Sequence, residues 1–342
     1  MRPRPIANPP NPWSRETVDW IGEPPEVRPE VYADATREIL SRNDSPDVPF
    51  TWSVNPYRGC AHACAYCYAR PTHEYLGFGA GTDFETRIVA KLRAPELLRA
   101  AFERPSWKGE TVAFSGATDA WQPLEASLRL TRGCLEVCAE YANPVAVVTK
   151  SALVERDLDL LAGLARMAGA RATVTLPFLD PERARALEPW APSPGRRLET
   201  IRRIADAGVP VGVLLAPVIP GLNDEEVPRV LEAAAAAGAR RAGWLLLRLP
   251  GSTRAVFEDR LRAALPERAG RVLHRIRETR GGGLSDSRFG VRGRGEGEYA
   301  ASIAALFDLA ARRLGLETGA CSAEGESPFR RPARAGSQLP LL

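Results

Sequence analysis

Six short apolar runs alternate with amphipathic stretches between residues 51 and 250, and this alternation constrains the fold more than any other feature. The runs are bounded by Pro, Gly or Asp, as buried strands are: TWSVNP, TVAFSGATD, PVAVVTKS, ARATVTLPFLD, VPVGVLLAPVIPG and AGWLLLRLP. The stretches between them have helical periodicity, and several end in Gly. Such alternation predicts an α/β fold with a parallel sheet, and six units predict a partial (β/α)6 barrel of the TIM type.

The chain divides into four regions by composition. Residues 1–49 are rich in Pro and Arg and predict an extended N-terminal arm. Residues 50–250 hold the predicted barrel, and residues 251–318 predict a helical C-terminal extension. Residues 319–342 predict a flexible tail.

Composition limits the compartment and the partners. The chain has no apolar run long enough to cross a membrane, and its first residues, MRPRPIANPPNPWS, contain no continuous apolar stretch, so we expect neither a secretory leader nor a membrane anchor. Six unevenly spaced cysteines in 342 residues are unlike the disulfide framework of a secreted domain. We therefore expect a cytoplasmic protein without membrane contact. A net charge of +4 permits an anionic partner such as a nucleic acid without requiring one.

Three cysteines follow the first predicted strand at the spacing C-x3-C-x2-C. Cys60, Cys64 and Cys67 are separated by small residues, which allow the three sulfur atoms to approach one another. In a parallel α/β barrel, the loops at the carboxyl ends of the strands carry the chemistry. Three thiolates can hold three irons of a 4Fe–4S cluster and leave the fourth iron open for a ligand. A zinc site completed by His62 or His73, and a set of reduced core thiols, are the alternatives.

The motif CAHACAYC resembles the signature of radical S-adenosylmethionine enzymes, with Tyr66 as the aromatic residue before the last cysteine. Further segments over residues 53–316 resemble uncharacterised radical enzymes grouped with the spore photoproduct lyases: SVNPYRGCAHACAYCYARPTHEYLG, VVTKSALVERDLDLL, APVIPGLND, LLLRLP and DSRFG. The resemblance implies that Cys60, Cys64 and Cys67 bind three irons of a 4Fe–4S cluster. The amino and carboxylate groups of S-adenosylmethionine would chelate the fourth.

The same resemblance implies the reaction. The reduced cluster would cleave S-adenosylmethionine to methionine and a 5′-deoxyadenosyl radical, which abstracts hydrogen from the substrate. A reductant such as flavodoxin or ferredoxin is then required as a partner. Tyr68, next to the last cluster cysteine, is the candidate catalytic residue because it could relay a radical, and the alternative is that it only packs.

Cofactor contacts are implied at other strand ends. Tyr66 would lie near the adenine, and Lys150 in VVTKS would reach the cofactor carboxylate, as in the lyase relatives. Thr118 and Asp119 in SGATDAW would bind the cofactor's amino group. Each of these residues also has a purely structural interpretation. Tyr66 could be a packed aromatic residue and Lys150 a solvated lysine. Thr118 and Asp119 could cap the next helix.

The turn APVIPGLND completes the implied cofactor site. Ile219 and Gly221 would flank the adenine, although the prolines also make this a stiff turn on structural grounds alone.

The residues and the resemblance together predict a radical enzyme that acts on DNA or another nucleic acid in the manner of a repair lyase. The alternative is a non-catalytic zinc or iron–sulfur module that binds nucleic acid. The chain departs from the lyases at Gly116 and Ala117, where they carry the cysteine that donates hydrogen. We therefore do not expect efficient cleavage of spore photoproduct.

Three further features lie outside this scheme. Cys134 and Cys138 are four apart on a predicted helix and fit buried small hydrophobic residues better than a second cluster. A glycine-rich loop gathers arginines that suit either a phosphate grip or a solvated loop: Arg280, Arg288, Arg292 and Arg294. The last residues, QLPLL, loosely resemble the peptides that dock DNA-processing proteins on the bacterial sliding clamp.

Overall fold

The computed structural model describes residues 30–319 and 326–332. The strands, numbered in chain order, are β1 Glu30–Ala33, β2 Leu40–Arg42, β3 Trp52–Val54, β4 Tyr57–Arg58, β5 Arg87–Ala90, β6 Val112–Phe114, β7 Val145–Thr149, β8 Ala170–Thr175, β9 Val211–Val218, β10 Arg241–Leu246 and β11 Glu317–Thr318. The helices are α1 Thr82–Thr86, α2 Ala94–Phe102, α3 Glu125–Leu128, α4 Leu130–Glu140, α5 Leu158–Met167, α6 Pro181–Leu187, α7 Pro194–Asp206, α8 Val227–Ala236, α9 Thr253–Ala264, α10 Pro266–Glu278 and α11 Glu298–Arg313. Short 3-10 helices lie at Arg70–Leu76, Ala152–Asp157 and Asp224–Glu226.

The main sheet has six parallel strands at its centre, in the order β3, β6, β7, β8, β9 and β10. At its two edges, β2 is antiparallel to β3, and β11 is parallel to β10. Since β2 and β11 do not pair with each other, the sheet formed by the described strands stays open. The predicted partial (β/α)6 barrel is confirmed, because each of the six apolar runs forms one of these parallel strands.

The core lies between this sheet and the helices that connect its strands. β6 is buried along its whole length, and Val147 of β7 and Val174 of β8 are almost fully buried. In α5 the fully buried residues are Leu161 and Leu164, three positions apart, which places both on the face toward the sheet. This packing holds the strand ends, and the loops that follow them, in fixed positions.

A smaller sheet holds the chain on either side of the cysteine motif. Its order is β1, β5, β4, with β1 parallel and β4 antiparallel to β5. β1 and β2 both come from residues 30–49, so this part of the predicted arm contributes a strand to each sheet. β4 leads directly into the cysteine motif and β5 returns from the segment after it. The motif is thus anchored at both ends by backbone pairing.

The helical extension contains α9, α10 and α11, in agreement with the predicted fold class. Helix α6, in the loop after β8, is preceded by its N-cap residue Asp180, whose carboxylate accepts hydrogen bonds from the backbone N–H groups of Glu182 and Arg183. It ends beside the cysteine motif, where Ala65 N donates to Leu187 O at 2.9 Å. Within the described part of the chain, every helix is too short or too polar to cross a membrane.

Candidate active site

The cysteine loop begins with a glycine that has no room for a side chain. Gly59 has φ +79°, and a Cβ there would stand 2.8 Å from His73 Cε1 and 2.9 Å from Phe84 O. Gln122, after β6, closes the same turn: its Oε1 accepts from Ala61 N at 3.0 Å, and its Nε2 donates to Gly59 O at 3.1 Å. The path of the loop is therefore set from both sides before any cofactor binds.

A buried arginine, Arg70, fixes the cysteine loop by donating hydrogen bonds to backbone carbonyls. The Arg70 side chain is fully buried, and its Nε donates to Cys64 O at 2.9 Å while its Nη1 donates to Ala80 O at 2.8 Å. Thr253 of α9 donates to Cys67 O at 3.1 Å. Sequence reasoning assigned no role to Arg70, Thr253 or Gln122, because their partners are backbone carbonyls and N–H groups that no motif identifies.

The three thiols are in an environment that suits a metal cluster. Cys60 and Cys64 are buried and Cys67 is partly buried, and none forms a disulfide. Burial raises the pKa of each thiol, to about 12 for Cys60, so the thiolate forms require a compensating positive charge, which bound iron provides. Among the described residues, no three His, Cys, Asp or Glu side chains are placed to hold a single metal ion. Three free cysteines in one loop suit a cluster in which each cysteine binds a different iron.

Tyr66 lies in a network of buried polar groups beside the cysteines. Its hydroxyl donates to Glu188 Oε1, and the Arg197 guanidinium bonds to the other oxygen, Oε2. Lys150 Nζ stands 3.9 Å from Glu188 Oε1 and 5.8 Å from the centroid of the Tyr66 ring. Burial opposes the charge on Glu188, but Arg197 and Lys150 outweigh it and lower the pKa of this carboxyl. The structure thus brings the predicted residues Tyr66 and Lys150 together through two residues that sequence reasoning missed.

Asp119 ties the end of β6 to the end of β7. Its Oδ1 accepts from Thr149 Oγ1 at 2.7 Å, and its Oδ2 accepts from Lys150 N at 2.7 Å. Oδ2 is also 3.5 Å from His62 Nδ1, a buried nitrogen without a hydrogen-bond partner among the described residues. Burial lowers the pKa of His62, so its ring is neutral. His62 Nδ1 is thus a buried polar atom of the cysteine loop whose hydrogen-bonding capacity is unused among the described residues.

Thr118 is turned away from this position. Its hydroxyl donates to Tyr57 O at 3.0 Å and is buried. Asp119 also accepts from Trp121 N at 2.9 Å, which is a local turn and not a helix cap, since the next helix, α3, has Leu124 as its N-cap and no side-chain cap. Thr118 fixes the loop to β4.

Ile219 and Gly221 have different surroundings. Ile219 is fully buried in an apolar cluster that includes Cys64, Ala65 and Tyr66. Its N–H donates to Asn223 Oδ1 at 2.6 Å, and Asn223 Nδ2 donates to Pro177 O at 2.7 Å, which joins the ends of β8 and β9. Gly221 has φ +77°, and a Cβ there would stand 3.0 Å from Arg275 Cγ of α10. Ile219 therefore lies with the cysteine loop, whereas Gly221 packs against the helical extension.

Tyr68 lies at the exposed rim of the site. Its side chain is 51% exposed, and its hydroxyl donates to Gly116 O at the end of β6. The guanidinium carbon of Arg248, which follows β10, is 6.0 Å from the centroid of the Tyr68 ring. Burial and the nearby Arg292 lower the pKa of Arg248. Among the described residues, Arg248 forms no salt bridge and no hydrogen bond, and the Asp47 carboxylate acts on its charge only from farther away, so the guanidinium can still bind a ligand.

The arginine-rich loop is occupied with internal contacts. Arg292 pairs with Asp47, and Arg288 pairs with Asp286 at 2.6 Å and with Glu296 at 3.0 Å. The other two arginines are held in the fold: Arg280 donates to backbone carbonyls, and Arg294 packs on Trp244. A phosphate grip made by these four side chains is therefore not what the structure shows.

The remaining cysteines and the C-terminal QLPLL segment complete the features noted in the sequence. Cys134 and Cys138 are fully buried in the main core, as predicted for small hydrophobic residues. The isolated Cys321 and the QLPLL segment lie outside the described residues.

A partial parallel barrel with a three-cysteine loop at the ends of its strands is the arrangement of an α/β protein that can hold a cofactor at that edge of its sheet. The chain belongs to the radical S-adenosylmethionine superfamily: residues 54–234, more than half of its length, match the family described as "Radical SAM superfamily". The cofactors of this superfamily, a 4Fe–4S cluster and S-adenosylmethionine, are those of this chain, and its members require a reductant. The predicted family and enzyme class are confirmed.

The chain is also similar to individual proteins, in sequence or in fold. An uncharacterised protein of Mycobacterium tuberculosis is 43% identical over 233 residues, which cover 68% of this chain and 67% of that protein. An uncharacterised protein of Methanocaldococcus jannaschii is 29% identical over 173 residues, which cover 51% of this chain and 62% of that protein. Spore photoproduct lyase complexed with dinucleoside spore photoproduct has a similar fold, with TM-score 0.62 and 17% identity over 84% of this chain and 81% of that chain.

Proposed function

We propose that this radical S-adenosylmethionine enzyme acts on DNA or another nucleic acid, in a reaction of the repair-lyase type. The observation that carries the proposal is Arg248, a half-buried cation at the rim of the cysteine loop that makes no salt bridge or hydrogen bond with a described residue, although the Asp47 carboxylate acts on its charge from farther away. An unpaired guanidinium beside a half-exposed aromatic ring, Tyr68, suits a ligand that combines phosphate oxygens with flat bases. The net charge of +4 and the similar fold of a lyase complexed with a dinucleoside lesion support the same substrate class.

Cys60, Cys64 and Cys67 are proposed to bind the cluster, since they fit a group that supplies positive charge to buried thiolates. When bound, the cluster and S-adenosylmethionine supply a 5′-deoxyadenosyl radical. The protein's own task is to hold both groups and to exclude water from them. Gly59, Gln122 and Arg70 hold the loop in shape, and Ile219 supplies an apolar wall beside it.

The remaining site residues are proposed to orient S-adenosylmethionine. Lys150 would bind its carboxylate, and Asp119, with the free His62 nitrogen beside it, would face its amino group. Tyr66 and Ile219 would contact the adenine. Thr118 and Gly221 would act through the loop and turn that they fix, because their present contacts are to Tyr57 and to α10.

Tyr68 is proposed as the residue nearest the substrate. Its hydroxyl is bonded to Gly116 O, the place where the sequence lacks the hydrogen-donating cysteine of the lyases. We therefore expect no efficient cleavage of spore photoproduct by this chain. Repair of that lesion at enzyme-like rates in an anaerobic assay would contradict this expectation.

The first test is anaerobic reconstitution with iron and sulfide. The wild-type protein should bind iron and sulfide in equal amounts and cleave S-adenosylmethionine when dithionite is added. Cys60→Ala should bind much less iron and lose this activity. Cys134→Ala is the matched control, because Cys134 is equally buried but lies in the main core, and its iron content should not change. A colourless protein that binds zinc would favour the non-catalytic binding module.

The second test concerns the substrate class. Deuterated S-adenosylmethionine is incubated with the reduced enzyme and with pools of DNA, RNA or peptide, and label transfer is followed by mass spectrometry. Label in oligonucleotides would support the proposal, and label confined to peptides would overturn it. Arg248→Ala should weaken binding of a single-stranded oligonucleotide about tenfold, the usual effect of one charge-assisted contact. Arg262→Ala, which removes an exposed arginine on α9, should bind as wild type does.

A further inference from the structure

Glu188 is the centre of a buried network that contacts the cysteine loop from outside its own motif. The carboxylate and the Arg197 guanidinium are both almost fully buried, and Arg197 is fixed in turn by Thr175 O at 3.1 Å and Pro192 O at 2.9 Å. A buried carboxylate is stable only when its charge is compensated, and here Arg197 does so in direct contact, with Lys150 acting from 3.9 Å. Glu188 therefore has a fixed position in the fold.

The backbone around Glu188 follows the cysteine loop closely. Leu187 O accepts from Ala65 N at 2.9 Å, and Trp190 N donates to His62 O at 3.4 Å. These two bonds lie on either side of Glu188 in the sequence. A shift of the cysteine loop would therefore also move the Glu188 carboxylate. Residues 187–190, at the end of helix α6, are distant in sequence from the cysteine motif that they contact.

The two oxygens of Glu188 have different partners. Oε2 is held by Arg197, whereas Oε1 accepts from Tyr66 and has Lys150 Nζ at the longer distance of 3.9 Å. Lys150 can move to another anion without leaving Glu188 unpaired, because Arg197 and Tyr66 remain. The arrangement holds Lys150 near the site while leaving its charge available.

We propose that Glu188, fixed by Arg197, is a positioning residue that orients Tyr66 and Lys150 for S-adenosylmethionine. This inference rests on the proposed roles of Tyr66 and Lys150 as contacts to that cofactor. Glu188 itself would touch neither cluster nor substrate. Its effect on cofactor binding would pass through the Tyr66 hydroxyl and the Lys150 ammonium group.

The test is a double-mutant cycle on cofactor affinity. The dissociation constant of S-adenosylmethionine is measured by anaerobic equilibrium dialysis for reconstituted wild type, Glu188→Gln, Tyr66→Phe and the double variant, with iron content determined for each. Each single change should weaken binding about tenfold at unchanged iron content, as expected for loss of one hydrogen bond to a charged group. The double variant should be clearly less impaired than the product of the two single effects, because the residues act through one contact.

The outcomes separate this inference from the function on which it rests. If wild type binds iron but no S-adenosylmethionine, the proposed function fails and the inference fails with it. If wild type binds the cofactor and the two effects multiply, or Tyr66→Phe binds as wild type does, only the inference is overturned. Tyr66→Phe keeps both ion pairs and the ring, so it gives a result even if Glu188→Gln does not fold. A loss of iron in Glu188→Gln, with its affinity per cluster unchanged, would assign Glu188 a purely structural role.

Discussion

Single residues decide whether the cysteine loop can take its path. Gly59 and Gly77 have nearly the same left-handed conformation, with φ +79° and +77°. A side chain at Gly59 would collide with His73 and with the backbone of Phe84, whereas a side chain at Gly77 would meet nothing within 4 Å. Substitution by alanine at Gly77 therefore measures the cost of backbone strain alone, and substitution at Gly59 measures that cost plus the steric clash.

We predict that Gly59→Ala lowers both stability and iron content. Backbone strain alone costs about 1 kcal/mol, and the collision with a backbone oxygen adds to it and displaces the loop. Gly77→Ala is the control and should lose only about 1 kcal/mol, with full iron binding. Denaturant unfolding and iron analysis of the two variants measure this. Equal effects at the two positions would show that space around Gly59 is not the cause.

At the scale of elements, a short segment after the last strand is packed on the barrel. The Phe329 ring stacks on Tyr141 at 6.0 Å and contacts Phe102 edge-on at 5.8 Å. Arg331 donates to Phe102 O at 3.0 Å, and a Cβ at Gly109 would stand only 2.1 Å from Phe329 Cβ. Residues 326–332 belong to the stretch for which composition predicts a flexible tail. They pack because one aromatic ring fills a groove left open by a glycine.

We predict that Phe329→Ala lowers the free energy of unfolding by about 2 kcal/mol, since a partly buried aromatic ring is lost. Gly109→Ala should lower it by more, because its new side chain occupies the place of the ring and its φ of +76° adds backbone strain. Arg330→Ala is the control: its backbone N–H bonds to Tyr141 O, but its side chain is exposed. Urea unfolding compares the three variants. An unchanged free energy in Phe329→Ala would mean that the segment does not contribute to stability.

On the scale of the whole molecule, the central strands of the sheet are hydrogen-bonded on both sides, and the edge strands on one side only. β7, β8 and β9 are paired on both sides, while β11 has two residues and one neighbour. The cysteine loop is bonded to helices outside these central strands, through Cys60 N to Phe84 O of α1 at 2.9 Å and Ala65 N to Leu187 O of α6 at 2.9 Å. The loop should therefore open without unfolding the barrel.

We predict that removal of iron by a chelator speeds hydrogen exchange in residues 59–67 and leaves β7, β8 and β9 unchanged. Bound metal stabilises the state that it binds, and here that state is local to the loop. Hydrogen–deuterium exchange of the reconstituted and the chelated protein, compared by mass spectrometry, measures this. Faster exchange throughout the barrel would show that the cluster is needed for folding of the entire domain.

The linear pattern of residues was sufficient for the barrel and for its principal motif. Strand and helix periodicities are local, so each of the six apolar runs could be assigned to a strand without knowledge of its neighbours. Cys60, Cys64 and Cys67 lie within eight residues, and their spacing is readable for the same reason. Cys134 and Cys138 could likewise be assigned to the core from their shared helix face.

Contacts between distant segments could be found only from the folded chain. Tyr66 and Glu188 are 122 residues apart, and nothing in the sequence around Glu188 pairs it with a tyrosine or a lysine. The same applies to Arg292, whose partner Asp47 lies 245 residues away and removes its charge from any phosphate site. The sequence does not show whether a charged loop residue has an ion-pair partner, because ion pairing depends on the distance between the two groups in space and not on their separation along the chain. Periodicity therefore specified the strands and the motif, and long-range packing decided which polar groups were left for chemistry.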